Sequence, residues 1–126
     1  MPSAVFFSGT VQVAALSNFL PGELDAIARQ VQTPFYAYST QAIRERIASL
    51  QRVFRGLDVR ICYAVKANSN LAILQLMALH DVGADIVSLG EMQRSLKAGI
   101  PAGRIVFSGV GKMADEIDAA LAAGVW

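Results

Sequence analysis

Lys66 closes the apolar run VRICYAV (59–65). Side chains alternate across a strand, so Val59, Ile61, Tyr63 and Val65 share one face while Arg60, Cys62, Ala64 and Lys66 share the other. The larger apolar set suits a face packed under helices. The second set is small, and it ends in a lysine at the carboxyl end of the strand, where barrel enzymes place their chemistry. Such a lysine suits Schiff-base chemistry, because partial burial and nearby cations lower its pKa and free the amine to attack an aldehyde. A surface lysine that merely ends a strand fits the same pattern, and periodicity does not choose between them.

Other residues offer less. Asp85 lies in the apolar run ADIVS (84–88) and reads equally as a polar strand residue. Glu91 falls in the first turn of the helix that follows, where a carboxylate offsets the dipole. Asn68 could hold the turn after Lys66, with Asn70 as the cap of the next helix, and Ser88 could face a site or cap a helix. SGVGK (108–112) invites comparison with the nucleotide-binding pattern G-x-x-x-x-G-K-[ST]. It fails twice, because Val106 takes the first glycine position and Met113 the final one. His80 stands near a helix end without a second metal ligand at suitable spacing.

The elements that must position these residues repeat. Apolar runs at 59–65, 84–88 and 104–108 are each followed by a loop and a helix, over roughly 70–80, 90–98 and 113–123. Gly83, Gly99 and Gly124 stand where those helices should end. Strand, helix and strand joined by short loops imply parallel strands, and the spacing of about 20 residues suits the βα unit of a barrel or a doubly wound sheet. Upstream, Leu24, Ile27, Ala28 and Val31 predict a short helix over 23–32, PFYAYS (34–39) a short strand, and Ile43, Ile47, Leu50 and Phe54 a helix over 40–54 capped by Thr40. A closed (β/α)8 barrel needs about 250 residues. The chain is therefore expected to be the first part of one, with Val125 and Trp126 opening a fourth strand.

Charge and composition narrow the partners. With 11 Lys and Arg against 10 Asp and Glu the net charge is +1, so no field draws the chain to nucleic acid or to an anionic membrane. Of the 126 residues 54% are hydrophobic, enough for a packed core. Cys62 is the only cysteine, which excludes an internal disulfide and fits a reducing cytoplasm. The apolar start, residues 1–23, lacks a basic head and is broken by Ser8, Gly9, Thr10, Gln12, Ser17 and Asn18 short of the roughly 20 apolar residues of a span. Residues 1–33 read as a leader with a short helix, and 34–126 as the first part of a barrel domain.

The segments TPFYAYS (33–39), YAVKANSN (63–70) and GADIVSLGEMQRSLKAGIPAGRIVFSGVGK (83–112) resemble the signature of diaminopimelate decarboxylases. These are pyridoxal-phosphate enzymes of the α/β class with an alanine racemase-like TIM barrel, a group that also holds ornithine and arginine decarboxylases. The resemblance implies that Lys66 holds pyridoxal phosphate, is displaced by the substrate amine, and returns a proton after decarboxylation. It also places Asp85 and Glu91 on the cofactor side, where a carboxylate near Lys66 would orient it. It implies decarboxylation of meso-2,6-diaminopimelate to L-lysine and CO2 in the last step of lysine biosynthesis, by a cytoplasmic homodimer with shared sites. The phosphate-binding loop, the partner's substrate residues and a C-terminal β domain are expected beyond Trp126, so this stretch alone should be inactive, and poorly soluble because of its unpaired strand edge. Rival readings are a decarboxylase of another basic amino acid (arginine, ornithine or carboxynorspermidine), a racemase, and a non-catalytic pyridoxal-phosphate carrier.

Overall fold

The computed structural model describes residues 18–20 and 22–126. Most of the leader therefore lies outside the described residues. The chain divides into two compact units, Met1–Arg46 and Ile47–Trp126.

In the first unit, α1 covers Glu23–Ala28, shorter than the spacing predicts. Arg29 closes it, and Gln30 and Val31 continue only as a turn on the Ile27 carbonyl. Its lack of any buried residue gives it little tertiary support, and most helical stability comes from packing. PFYAYS forms no strand. A strand exists by pairing in a sheet, and the three-stranded sheet of the described residues does not include this segment. Helix α2, Thr40–Val53, begins here and runs into the second unit. Its cap is Ser39 rather than Thr40, because Ser39 Oγ accepts from Ala42 N–H at 3.2 Å, the third helical residue.

The second unit holds the three expected repeats. Strands β1 (Cys62–Ala64), β2 (Gly83–Ile86) and β3 (Ile105–Phe107) form a parallel sheet in the order β1-β2-β3. Between them run α3 (Leu71–Leu79) and α4 (Leu89–Lys97), and α5 (Ala114–Ala123) follows β3. The register aligns Tyr63, Ala84 and Ile105 on one face, and Cys62 with Gly83, and Ala64 with Asp85 and Val106, on the other. On the first face Ala84, Ile86, Ile105 and Phe107 are buried with Ile73, Leu74, Leu76, Met77 and Met92 of α3 and α4. The second face is half-buried at Cys62, Ala64 and Asp85 and opens at Val106. The side-chain parity read from the sequence therefore holds over Cys62–Ala64, whereas residues 59–61 precede the strand and Val59 is exposed rather than packed under helices. Fully buried Ser95 donates to the Glu91 carbonyl at 2.8 Å, which satisfies its hydroxyl inside α4.

Two helix stops differ in kind. Gly99 and Gly124 adopt positive φ after α4 and α5, as expected of glycine there. After α3 the left-handed residue is Asp81, φ 63°, while Gly83 has become the first residue of β2. Its glycine requirement is steric: a Cβ at Gly83 would stand 2.4 Å from the Arg104 carbonyl oxygen and 2.9 Å from Cys62 Sγ. Beyond α5, Trp126 N–H donates to the Ile105 carbonyl at 3.2 Å and the Trp126 carbonyl accepts from Phe107 N–H at 2.7 Å. The backbone at Trp126 thus lies along β3 as the next parallel strand would.

Candidate functional site

The carboxyl ends of β1, β2 and β3 carry the chemistry-bearing residues. The strand geometry of β1 stops at Ala64, and Val65–Ala67 form a single 3-10 turn. Lys66 sits in that turn, exposed, rather than at a strand end, so its direction does not follow from alternation. Buried Val65 anchors the turn from below.

The segment after Lys66 is tied on several sides. Asn68 N–H donates to the Val65 carbonyl at 3.1 Å. Tyr63 Oη donates to the Asn68 carbonyl at 3.3 Å, and Arg94 of α4 reaches the Ser69 carbonyl at 3.3 Å. Asn68 Oδ1 accepts from Asn70 N–H at 3.0 Å, and Asn70 Oδ1 accepts from Ala72 N–H at 2.9 Å, the N-cap bond of α3. Both asparagines therefore act in the turn and cap roles open to them from sequence.

Asp85 lies on the uncovered face of β2, aligned with Ala64. Its Oδ1 is buried and has no hydrogen-bond partner among the described residues. Buried polar atoms in folded proteins are nearly always paired, so an orphaned carboxylate oxygen marks a place prepared for a donor. On the same face burial pushes the Cys62 thiol up; Asp85 adds to this, while Arg60 and Arg104 oppose it. A raised thiol pKa disfavours the thiolate, the nucleophilic form of cysteine.

Glu91 is placed otherwise. Its Oε2 accepts from Val87 N–H at 2.8 Å, while Ser88 Oγ accepts from Glu91 N–H at 3.3 Å. Ser88 is the N-cap of α4, and Glu91 reaches back past it to Val87, so the pair closes the turn after β2. Lys112 contacts the Gly109 carbonyl, with its ammonium 5.1 Å from the centre of the Phe107 ring. Both contacts are local to the turn after β3. Sequence reasoning passed over Glu116, whose carboxylate accepts from Leu89 N–H at 2.9 Å and Met113 N–H at 3.1 Å. The signal was present, since Glu116 stands three residues after Met113 at the start of a helix, the spacing at which a glutamate reaches back. The cleft of about 810 Å³ in the first unit, lined by Leu20, Glu23, Ile27, Tyr38 and Glu45 among others, includes none of these residues.

The family model for the pyridoxal-dependent decarboxylases, pyridoxal binding domain, matches residues 40–126. The chain belongs to this family. It is 56% identical over 90 residues to the diaminopimelate decarboxylase of Helicobacter pylori, a match that covers 71% of the chain and 22% of that protein. The crystal structure of diaminopimelate decarboxylase from Helicobacter pylori, complexed with L-lysine, superposes with a TM-score of 0.78 at 48% identity, over 82% of this chain and 26% of that one. The arginine decarboxylase of Paramecium bursaria Chlorella virus, bound to agmatine, gives 0.63 at 27% identity, over 68% of this chain and 23% of that one. The chain spans about a quarter of the length of the curated relatives it matches.

Within the family, β1, β2 and β3 are opening strands of the pyridoxal-binding barrel, with α3, α4 and α5 on its outer side. The residues present suit the cofactor that the family name implies. Small Cys62 and Ala64 leave the inner face open, Asp85 offers an unpaired acceptor there, and the segment that follows the Lys66 turn is held by Tyr63 and Arg94.

Proposed function

We propose that the complete protein decarboxylates meso-2,6-diaminopimelate to L-lysine and CO2, the last step of lysine biosynthesis, with Lys66 holding pyridoxal phosphate. The observation that carries the substrate is the 48% identity in superposition to a diaminopimelate decarboxylase, against 27% to the arginine decarboxylase that shares the fold. The relative complexed with L-lysine supports an amino-acid product of this kind.

Bound pyridoxal phosphate supplies the electron sink that accepts the electron pair left when CO2 departs. The chain's own residues do the rest. The Lys66 amine would hold the cofactor and, once freed by the substrate amine, would supply a proton to the carbon that loses its carboxylate. Asp85 stands ready to accept a hydrogen bond from the Lys66 ammonium or from a protonated group of the bound cofactor, which would stabilise that charge. Glu91 acts at one remove by shaping the turn after β2. A homodimer working in the cytoplasm completes the reading; among the described residues no helix is long and apolar enough to cross a membrane.

The test is L-lysine formation from meso-diaminopimelate by the complete protein with added pyridoxal phosphate, beside Lys66→Ala and beside L-arginine as substrate. Lysine release that disappears in Lys66→Ala supports substrate and anchor together. Turnover of arginine instead would hand the chain to the neighbouring decarboxylases.

A further inference from the structure

Glu116 belongs to α5, yet one of its two carboxylate oxygens works elsewhere. Oε2 accepts from Met113 N–H and closes the first turn of its own helix, while Oε1 accepts from Leu89 N–H, 27 residues back, at the first residue of α4. Leu89 follows directly on the turn that Ser88 and Glu91 shape. The turns after β2 and β3 meet again at Gly109, where a Cβ would lie 2.9 Å from the Val87 carbonyl oxygen. Ser108 N–H donates to the Ile86 carbonyl at 3.0 Å between the same two turns. From its first turn α4 extends to Arg94, which holds the Ser69 carbonyl just beyond Lys66. One carboxylate thus ties the turn after β3 to the helix that joins the Asp85 strand to the Lys66 segment.

We propose that Glu116 is a positioning residue of the pyridoxal site, holding the first turn of α4 so that Asp85 and the Lys66 segment keep their mutual placement. The inference rests on the reading of Lys66 and Asp85 as cofactor residues. Glu116 itself touches neither. Its effect passes through Leu89 N–H, which separates it from a carboxylate that only caps its own helix.

Leu89 N–H can be removed without touching Glu116. Leu89 is the first residue of α4, where proline is tolerated, and Ser88 before it is extended at φ −152°, ψ 160°, as a residue preceding proline prefers. In the complete protein, Glu116→Ala, Leu89→Pro and the double variant are compared by two readouts. One is amide hydrogen exchange over residues 86–92 and 67–70 without cofactor; the other is pyridoxal phosphate affinity from visible absorbance, with circular dichroism confirming the fold. Each single variant is expected to speed exchange in both segments and to weaken cofactor affinity by about 10-fold, the scale of losing a supporting contact around a bound group. The double variant should be no worse than Glu116→Ala alone, because both remove one interaction. Effects that add, or unchanged exchange over 86–92 in Glu116→Ala, overturn the proposal. If wild-type protein binds no pyridoxal phosphate, the reading of the site fails by itself, while the exchange data still decide whether Glu116 orders the two segments.

Discussion

Asp85 lies directly across from Ala64 in the parallel register of β1 and β2, two residues short of Lys66, and its buried Oδ1 has no partner among the described residues. A strand pair therefore sets Asp85 beside the backbone that leads into the Lys66 turn, at one end of the sheet. The orphaned oxygen has a stability consequence as well as a functional one. Leaving a buried acceptor unpaired costs about 1–3 kcal/mol, and a bound donor would recover this.

Asp85→Ala should accordingly separate stability from binding. Thermal unfolding of the cofactor-free complete protein is expected to be unchanged or shifted upward, while pyridoxal phosphate affinity falls by about 10- to 100-fold. Calorimetry together with absorbance titration reads both. A lower melting temperature with unaltered affinity would make Asp85 a structural residue only.

Lys66→Ala is expected to change stability by less than about 0.5 kcal/mol, since Lys66 is exposed and no partner is seen for its ammonium among the described residues. The same change should abolish covalent retention of the cofactor, measured by borohydride reduction and mass spectrometry. Label found on another lysine, Lys112 above all, would move the anchor.

The sheet predicts opposite outcomes for two glycines. Gly83→Ala forces a methyl group against the Arg104 carbonyl and Cys62 Sγ, and is expected to cost about 1–3 kcal/mol in urea unfolding. Gly90→Ala, in the first turn of α4 with only Ser88 Oγ nearby at 3.9 Å, should stabilise by about 0.4–1 kcal/mol by restricting the unfolded chain. Equal effects at the two positions would contradict the strand packing described.

Glu116 carries a pH dependence. The backbone N–H groups of Leu89 and Met113 hold its carboxyl below the usual glutamate range. A depressed folded value contributes stability that is fully present above the ordinary value of about 4.3 and lost as pH falls through the lower folded value. Urea unfolding of wild type and Glu116→Gln should therefore differ at neutral pH and converge in acid. The residue is only half-buried, so added salt should reduce the difference. A gap that persists below the carboxylate range would assign the effect to packing instead.

Much of this was legible along the chain. Alternation placed Ala64 on the uncovered face and Val65 in the core, because strand periodicity is a local property of the backbone. Asn70, Ser88, Gly99 and Gly124 mark helix ends for equally local reasons of hydrogen bonding and conformation. What the one-dimensional pattern could not decide depends on distant partners. PFYAYS has the composition of a strand but lies outside the sheet of the described residues, Gly83 is a glycine because Arg104 approaches it, and Lys66 leaves the strand geometry in a turn whose following segment Arg94 reaches at Ser69. Glu116 shows the division within one residue: its reach to Met113 follows from spacing, whereas its bond to Leu89 exists only because the ends of two parallel strands bring α4 and α5 side by side.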